Sequence, residues 1–222
     1  MKDEQAFLKD VASHVMQVIR DEGAHRHIRF RRPDSMCMHF DLITWPGYLC
    51  YTGDMGTYVF RRLEDMFEFF RTDRRDDSSL NINRHYWSEK LQAVDGNRHN
   101  GSAMQFSADK FRRVISEIRL EWIRDARDTL SKEQRRELWE AVDEEILQVL
   151  GDDDQGYAAQ IAARDFYWSA DGMSSRYRHG KRGWEFHDLW EYSFNDYTHR
   201  FTWCCYALAW GIKQYDEAKV PA

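Results

Sequence analysis

The sequence predicts an α+β fold, a small antiparallel sheet of three to four strands near the N-terminus packed with a helical majority. Three observations predict it. Three short runs rich in β-branched and aromatic residues, 36–43, 48–52 and 57–60, are separated by Thr44-Trp45-Pro46-Gly47 and Gly53-Asp54-Met55-Gly56. Runs of that length, punctuated by Pro-Gly and Gly-Asp, read as antiparallel strands joined by tight turns. The apolar spacing then changes from two to 3.6, placing Leu63, Met66, Phe67 and Phe70 on one side of a helix. Beyond residue 107 the apolar residues keep helical spacing through several longer stretches, in a chain with only 3 Pro.

In chain order, residues 5–21 carry Phe7, Leu8, Val11, Val15, Val18 and Ile19, an amphipathic helix that Gly23 would end. Ile28 and Phe30 then alternate with His27, Arg29 and Arg31, a half-buried strand with one cationic face, closed by Pro33. This is the fourth strand. Residues 72–80 are a charged loop, and 81–91 a short helix with Tyr86, Trp87 and Leu91 inward. The DGNRHNGS stretch, 95–102, is a loop. A long helix over 108–129 follows, with Ser107 as N-cap and Phe111, Val114, Ile115, Ile118, Trp122 and Ile123 as its stripe. Ser131 and Gln134 have capping-box spacing for a helix over 131–150, with Leu138, Val142, Ile146 and Val149 inward and Gly151 to Asp154 as its break. Residues 157–168 are a further helix, 172–183 a basic loop, and 196–215 a final helix apolar on several sides. The organisation expected is three stretches, 1–95, 96–184 and 185–222, in one compact domain with the last packing back on the first.

The chain of 222 residues has a net charge of −6 and no broad basic excess, which argues against general duplex-DNA binding. Cys37, Cys50, Cys204 and Cys205 all sit in apolar runs without a C-x-x-C, and read as buried, reduced thiols. The N-terminus lacks an apolar signal region, and the longest apolar run, 201–212, is about half the ~20 residues of a membrane span. A cytoplasmic protein without membrane insertion is expected.

Three features are candidates for binding. Strand alternation places His27, Arg29 and Arg31 on one face, and the planar Arg fork suits phosphate; an ordinary solvated edge strand accounts for the same residues. Trp45, beside Pro46-Gly47, can present a flat ring to a nucleobase, or fold back on the core. The 53–56 turn offers backbone donors to an anion, although a hairpin turn alone explains Gly53 and Gly56, and no P-loop or dinucleotide fingerprint is present. His39, Asp41 and Asp54 could come together on the sheet, and His187, Asp188 and His199 lie near the C-terminus. None has a recognised metal-ligand spacing, so no metal and no cofactor are expected. Acidic residues crowd 117–154, including Glu140 and Glu144, but the interspersed Arg residues read as an ordinary charged helix face.

FDLITWPGYLCYTGDMGTYVF with RRLEDMFEFFRTD after it, LNINRHYWSEKLQAVD, and YTHRFTWCCYALAWGIKQYD resemble a widespread set of uncharacterised accessory proteins of tailed phages and prophages. The resemblance spans most of 24–95 and 185–216; the middle, 96–184, lies outside it. It implies a phage accessory gene product in the cytoplasm of the bacterial host, a class that often counters host defence by sequestering nucleotide signals or by binding defence proteins. It assigns no role to any residue. The leading expectation is a counter-defence protein that binds a nucleotide-derived immune signal without turnover. Arg29 and Arg31 would pair with phosphate, Trp45 would stack on a base, and Gly53, Asp54 and Gly56 would supply the turn. A homo-oligomer fits this reading. The alternatives are an inhibitor that binds a host nuclease or effector through the acidic helical surface, and a nucleotide hydrolase using His39, Asp41 or Asp54.

Overall fold

A computed structural model describes residues 2–74, 79–95, 103–151, 156–172 and 183–219. Its helices are α1 (Lys2–Val11), α2 (Met66–Arg71), α3 (Arg84–Ser88), α4 (Ala108–Asp125), α5 (Lys132–Val142), α6 (Tyr157–Asp165) and α7 (His199–Lys219). Its strands are β1 (Val15–Glu22), β2 (His25–Arg31), β3 (Phe40–Trp45), β4 (Tyr48–Gly53), β5 (Gly56–Arg61), β6 (Leu91–Val94), β7 (Met104–Phe106) and β8 (Asn195–Tyr197). The chain divides into two compact units, Met1–Met104 with Tyr197–Ala222, and Gln105–Asp196. The stretch 185–222 is therefore split between them. The loop expected over 95–102 and the basic loop over 172–183 fall almost wholly outside the described residues.

The fold-class expectation needs correction. The sheet has six strands, not three or four, in the order β1-β2-β3-β4-β5-β6 with every neighbour antiparallel, and β7 and β8 form a separate two-stranded sheet. Of the two missed strands of this sheet, β1 was hidden inside a helical reading, and of β6 only Leu91 was. Val15, Val18 and Ile19 fit a 3.6 spacing continued from Val11, but their β-branched side chains suit a pleated surface better. The helix stops at Val11, and Gly23, at φ +60°, turns the β1–β2 hairpin instead of ending a helix. At the other edge Leu91-Gln-Ala-Val is too short to show its own period, and it pairs with β5. As a result the cationic strand β2 lies inside the sheet, between β1 and β3, and the edge-strand reading fails.

Strand alternation sets the core of the first unit. Ile28, Phe30, Phe40, Leu42, Leu49, Tyr51, Tyr58 and Phe60 are completely buried on the inner face. Helix α7 packs on that face: Trp203 meets Phe40 edge-on at 5.7 Å, and Phe201 meets Tyr58 at 5.5 Å. Gly211 permits the approach, since a Cβ there would stand 3.0 Å from Leu42 Cδ1. Phe7 of α1 and Phe70 of α2 complete the aromatic cluster against Trp203 and Trp87. Burial on several sides explains why α7 has no single apolar stripe.

Arg26 also points inward, among these rings. Its guanidinium donates to both Asp65 carboxylate oxygens, at 2.9 and 2.8 Å, and lies over Phe67 at 4.8 Å. Asp65 caps α2 as well, accepting from the Phe67 amide. Of the four thiols, Cys204 and Cys205 are buried and Cys50 is half-buried, while Cys37 is exposed because it lies in the irregular 32–39 connection and not in a strand.

In the second unit Ser107 caps α4, and Ser131 and Gln134 form the expected capping box on α5. The helix expected over 131–150 is interrupted: α5 ends at Val142 and widens into a π-helical turn over Asp143–Leu147. Arg119 lies over the Trp139 ring at 3.5 Å and donates to Asp143 Oδ1 at 2.6 Å, fixing α4 against this turn. Phe111, Ile115, Leu138, Val142, Ile146 and Phe166 form the core. Among the described residues no helix is long and apolar enough to cross a membrane.

Candidate functional site

The face of the sheet turned away from α7 collects the chemistry-bearing side chains of the first unit. The register sets Gln17, Arg29, Asp41, Thr52 and Thr57 in one row across it, and His27, Ile43, Cys50 and Val59 in the next. Trp45, Tyr48 and Arg61 form a third row at the β3–β4 turn.

The first row is closed on itself. Arg29 donates through Nε and Nη2 to the two oxygens of Asp41, at 2.9 and 2.8 Å. His27 Nε2 is 2.7 Å from the same carboxylate. Asp41 is only 5% exposed beneath these partners. Burial pushes its carboxyl up, but the hydrogen bonds from Arg29 and His27 outweigh that and hold it below the usual range. The fork of Arg29 is thus already filled by a carboxylate, the same geometry that would grip a phosphate. Arg31 is half-buried, two residues further along β2, and makes no ion pair among the described residues.

The 53–56 turn is equally committed. Gly53 pairs with Gly56, and Gly53 crosses β3 so closely that a Cβ would collide with the His39 carbonyl and stand 2.8 Å from Phe40 Cα. The Asp54 amide donates to that carbonyl at 3.2 Å. The Asp54 carboxylate accepts from the Met38 amide at 2.6 Å and pairs with His39 Nδ1 at 3.0 Å. Gly56 supplies the φ of +100° that a hairpin needs. The Asp54 amide and carboxylate are thus both engaged with the residues that lead into β3. Two histidine–carboxylate pairs therefore stand on this face, His27–Asp41 and His39–Asp54, and among the described residues no three His, Cys, Asp or Glu side chains gather to hold a metal ion.

Trp45 belongs to a different group. It lies four residues along β3 from Asp41, roughly 13 Å at the rise of a strand. The sheet brings Arg29, Arg31, Gly53, Asp54 and Gly56 to one end and Trp45 to the other, so one small ligand cannot bridge them in the way the sequence suggested. At its own end Trp45 stacks on Tyr48, ring centroids 5.2 Å apart and planes 13° from parallel, and remains 36% exposed. Arg61 covers the Tyr48 ring at 5.2 Å. Arg61 is exposed, and among the described residues it forms no ion pair. Tyr48 and Arg61 were not singled out from the sequence. The signal was there in the spacing: a two-residue Pro46-Gly47 turn puts Trp45 opposite Tyr48, and the next hairpin puts Tyr48 opposite Arg61.

Of the acidic helical residues, Glu140 accepts from Arg136 at 2.7 Å one turn away, and Asp143 from Arg119. No protein-family model, no curated protein and no solved structure matches this chain.

Proposed function

We propose that this chain is a non-enzymatic binding protein that captures a nucleotide-derived small molecule on the outer face of its sheet. In keeping with the resemblance to tailed-phage accessory proteins, it withholds that molecule from a host defence response. The observation that carries the reading is the Trp45–Tyr48–Arg61 row, a stacked aromatic pair with Trp45 exposed and a guanidinium over Tyr48. A base laid on such a ring gains about 1–3 kcal/mol, and the Arg fork matches a phosphate. The unit that carries the row is electrically balanced, with 18 Lys and Arg against 18 Asp and Glu over Met1–Met104 and Tyr197–Ala222. An anion therefore meets no general repulsion there.

The test is thermal-shift binding against a panel of linear and cyclic nucleotides, followed by denaturation and mass analysis of what is released. A bound nucleotide raises the melting temperature by mass action and returns intact. Trp45→Ala and Arg61→Ala each weaken binding about tenfold or more, whereas Arg29→Ala, whose fork is filled by Asp41, leaves it within a few-fold. No shift across the panel overturns the reading. An altered nucleotide transfers the case to a hydrolase, with His27 and His39 as the groups to test.

A further inference from the structure

The second unit carries a feature that its own folding does not require. Helix α6 buries Ala159 and Ala163 in the core, yet its opposite side sets Tyr157 and Ile161 one turn apart in the open, Tyr157 at 64% exposure. Across from it, the segment that follows Phe186 turns at Asp188, whose φ is +57°, and holds Trp190 at 81% exposure with Tyr192 beside it. Between these walls lies a cleft of about 370 Å³, floored by Phe111 and Phe194. Exposed Trp and Tyr around a preformed apolar hollow is the composition of an interface hot spot, and burial of such rings dominates the energetics of association. Isolated exposed apolar residues need no explanation, but a contiguous group rimming a cleft does.

Charge decides what fills it. Over Gln105–Asp196 there are 14 Lys and Arg against 20 Asp and Glu, so this unit alone accounts for the net charge of −6. A nucleic acid or a nucleotide would be repelled, and so would a second copy of the same acidic unit. A polypeptide bearing cations is attracted. The charged residues of the cleft wall are Asp188 and Arg164, the latter paired with Asp165 at 3.0 Å, and Glu191 is exposed beside Trp190. We infer that this cleft docks a partner protein through a basic segment, one in which a large apolar or aromatic anchor enters the hollow and flanking Lys or Arg residues meet carboxylates such as Asp188 and Glu191. The site is separate in sequence and chemistry from the Trp45 platform, and it gives the chain a second recognition function with a different class of partner.

The experiment uses the full chain as bait for a yeast-displayed random peptide library. Selected peptides are then synthesised and titrated by fluorescence anisotropy. Enriched peptides are expected to share a Trp, Phe, Leu or Met flanked by Lys or Arg. Their binding should fall at least tenfold in Trp190→Ala and in Tyr157→Ala, both of which alter exposed side chains and spare the core. It should weaken steeply between low and high salt, as an electrostatically assisted encounter does, and be unchanged in Trp45→Ala. Failure to enrich any sequence, enrichment of acidic or neutral peptides, or selected peptides that bind Trp190→Ala as well as the parent each overturns the proposal. So does a concentration-dependent dimer in sedimentation that Trp190→Ala abolishes, since the cleft would then belong to a second copy.

Discussion

Replacing Asp65 probes how a cation survives inside an aromatic core. The Arg26 side chain is 10% exposed and Asp65 24%, and the pair is joined by two parallel hydrogen bonds. In Asp65→Ala, Arg26 keeps the Phe67 ring at 4.8 Å, the Tyr215 hydroxyl at 3.3 Å and Asp21 at 3.9 Å. Removing one partner of a buried pair costs about 3–5 kcal/mol, and the partial exposure and the surviving Asp21 place this case near 3. Loss of the α2 cap adds about 1 kcal/mol. Asp65→Ala is therefore expected to destabilise the first unit by about 4 kcal/mol. Asp65→Asn, which can still cap, should cost about 1 kcal/mol less. With two compact units, a single melting curve is a poor readout, so native-state hydrogen exchange at the Ile28 and Leu42 amides is the assay. A loss of 4 kcal/mol appears there as protection lowered by close to three decades. Replacing both partners, Arg26→Met with Asp65→Leu, should recover much of the loss, because no uncompensated charge remains. A loss below about 1 kcal/mol in Asp65→Ala, or equal losses in the Ala and Asn variants, refutes the reasoning.

Two further outcomes follow from the sheet. Asp41 has a carboxyl held below its ordinary value, so its contribution to stability is complete above the unfolded value and is lost as pH falls through the lower folded one. Asp41→Asn should cost about 1.5–3 kcal/mol near neutral pH and progressively less in acid, which urea titrations across pH will show. Gly53→Ala puts a methyl against the backbone of β3, where no side chain can swing aside, so a loss of about 2 kcal/mol or more in urea unfolding is expected, as for other forced overpacking.

The parts of the fold legible in the sequence were those where two independent signals agreed. The β3–β4–β5 hairpins combined alternation with turn residues, and α5 combined a stripe with a capping box. Where one signal stood alone it misled. Val15, Val18 and Ile19 satisfy a helical period by coincidence, and only pairing with β2 shows that they form a strand. Arg26 and Arg29 read alike as cations on one strand, yet alternation sends Arg26 into the core with Asp65 and leaves Arg29 outside with Asp41. Those carboxylates come from other strands and loops, so no local pattern could reveal that both forks were filled. The same holds for the second unit, where Trp190 and Tyr157 are 33 positions apart and their meeting around a cleft is a tertiary fact.

The first unit is discontinuous, and its missing piece is the helix that fills its core. During synthesis the six strands emerge first and can form their hairpins one after another, each from neighbouring residues. Phe70 of α2 already meets Phe60 at 5.4 Å, but much of the strands' inner face, with Phe30, Phe40 and Tyr51, waits for α7, which leaves the ribosome some hundred residues later. The second unit, contiguous in sequence, is complete before that. The nascent chain thus passes through an interval in which a finished acidic domain is tethered to an open aromatic sheet, and the speed with which α7 arrives sets how long that sheet is vulnerable to misassociation.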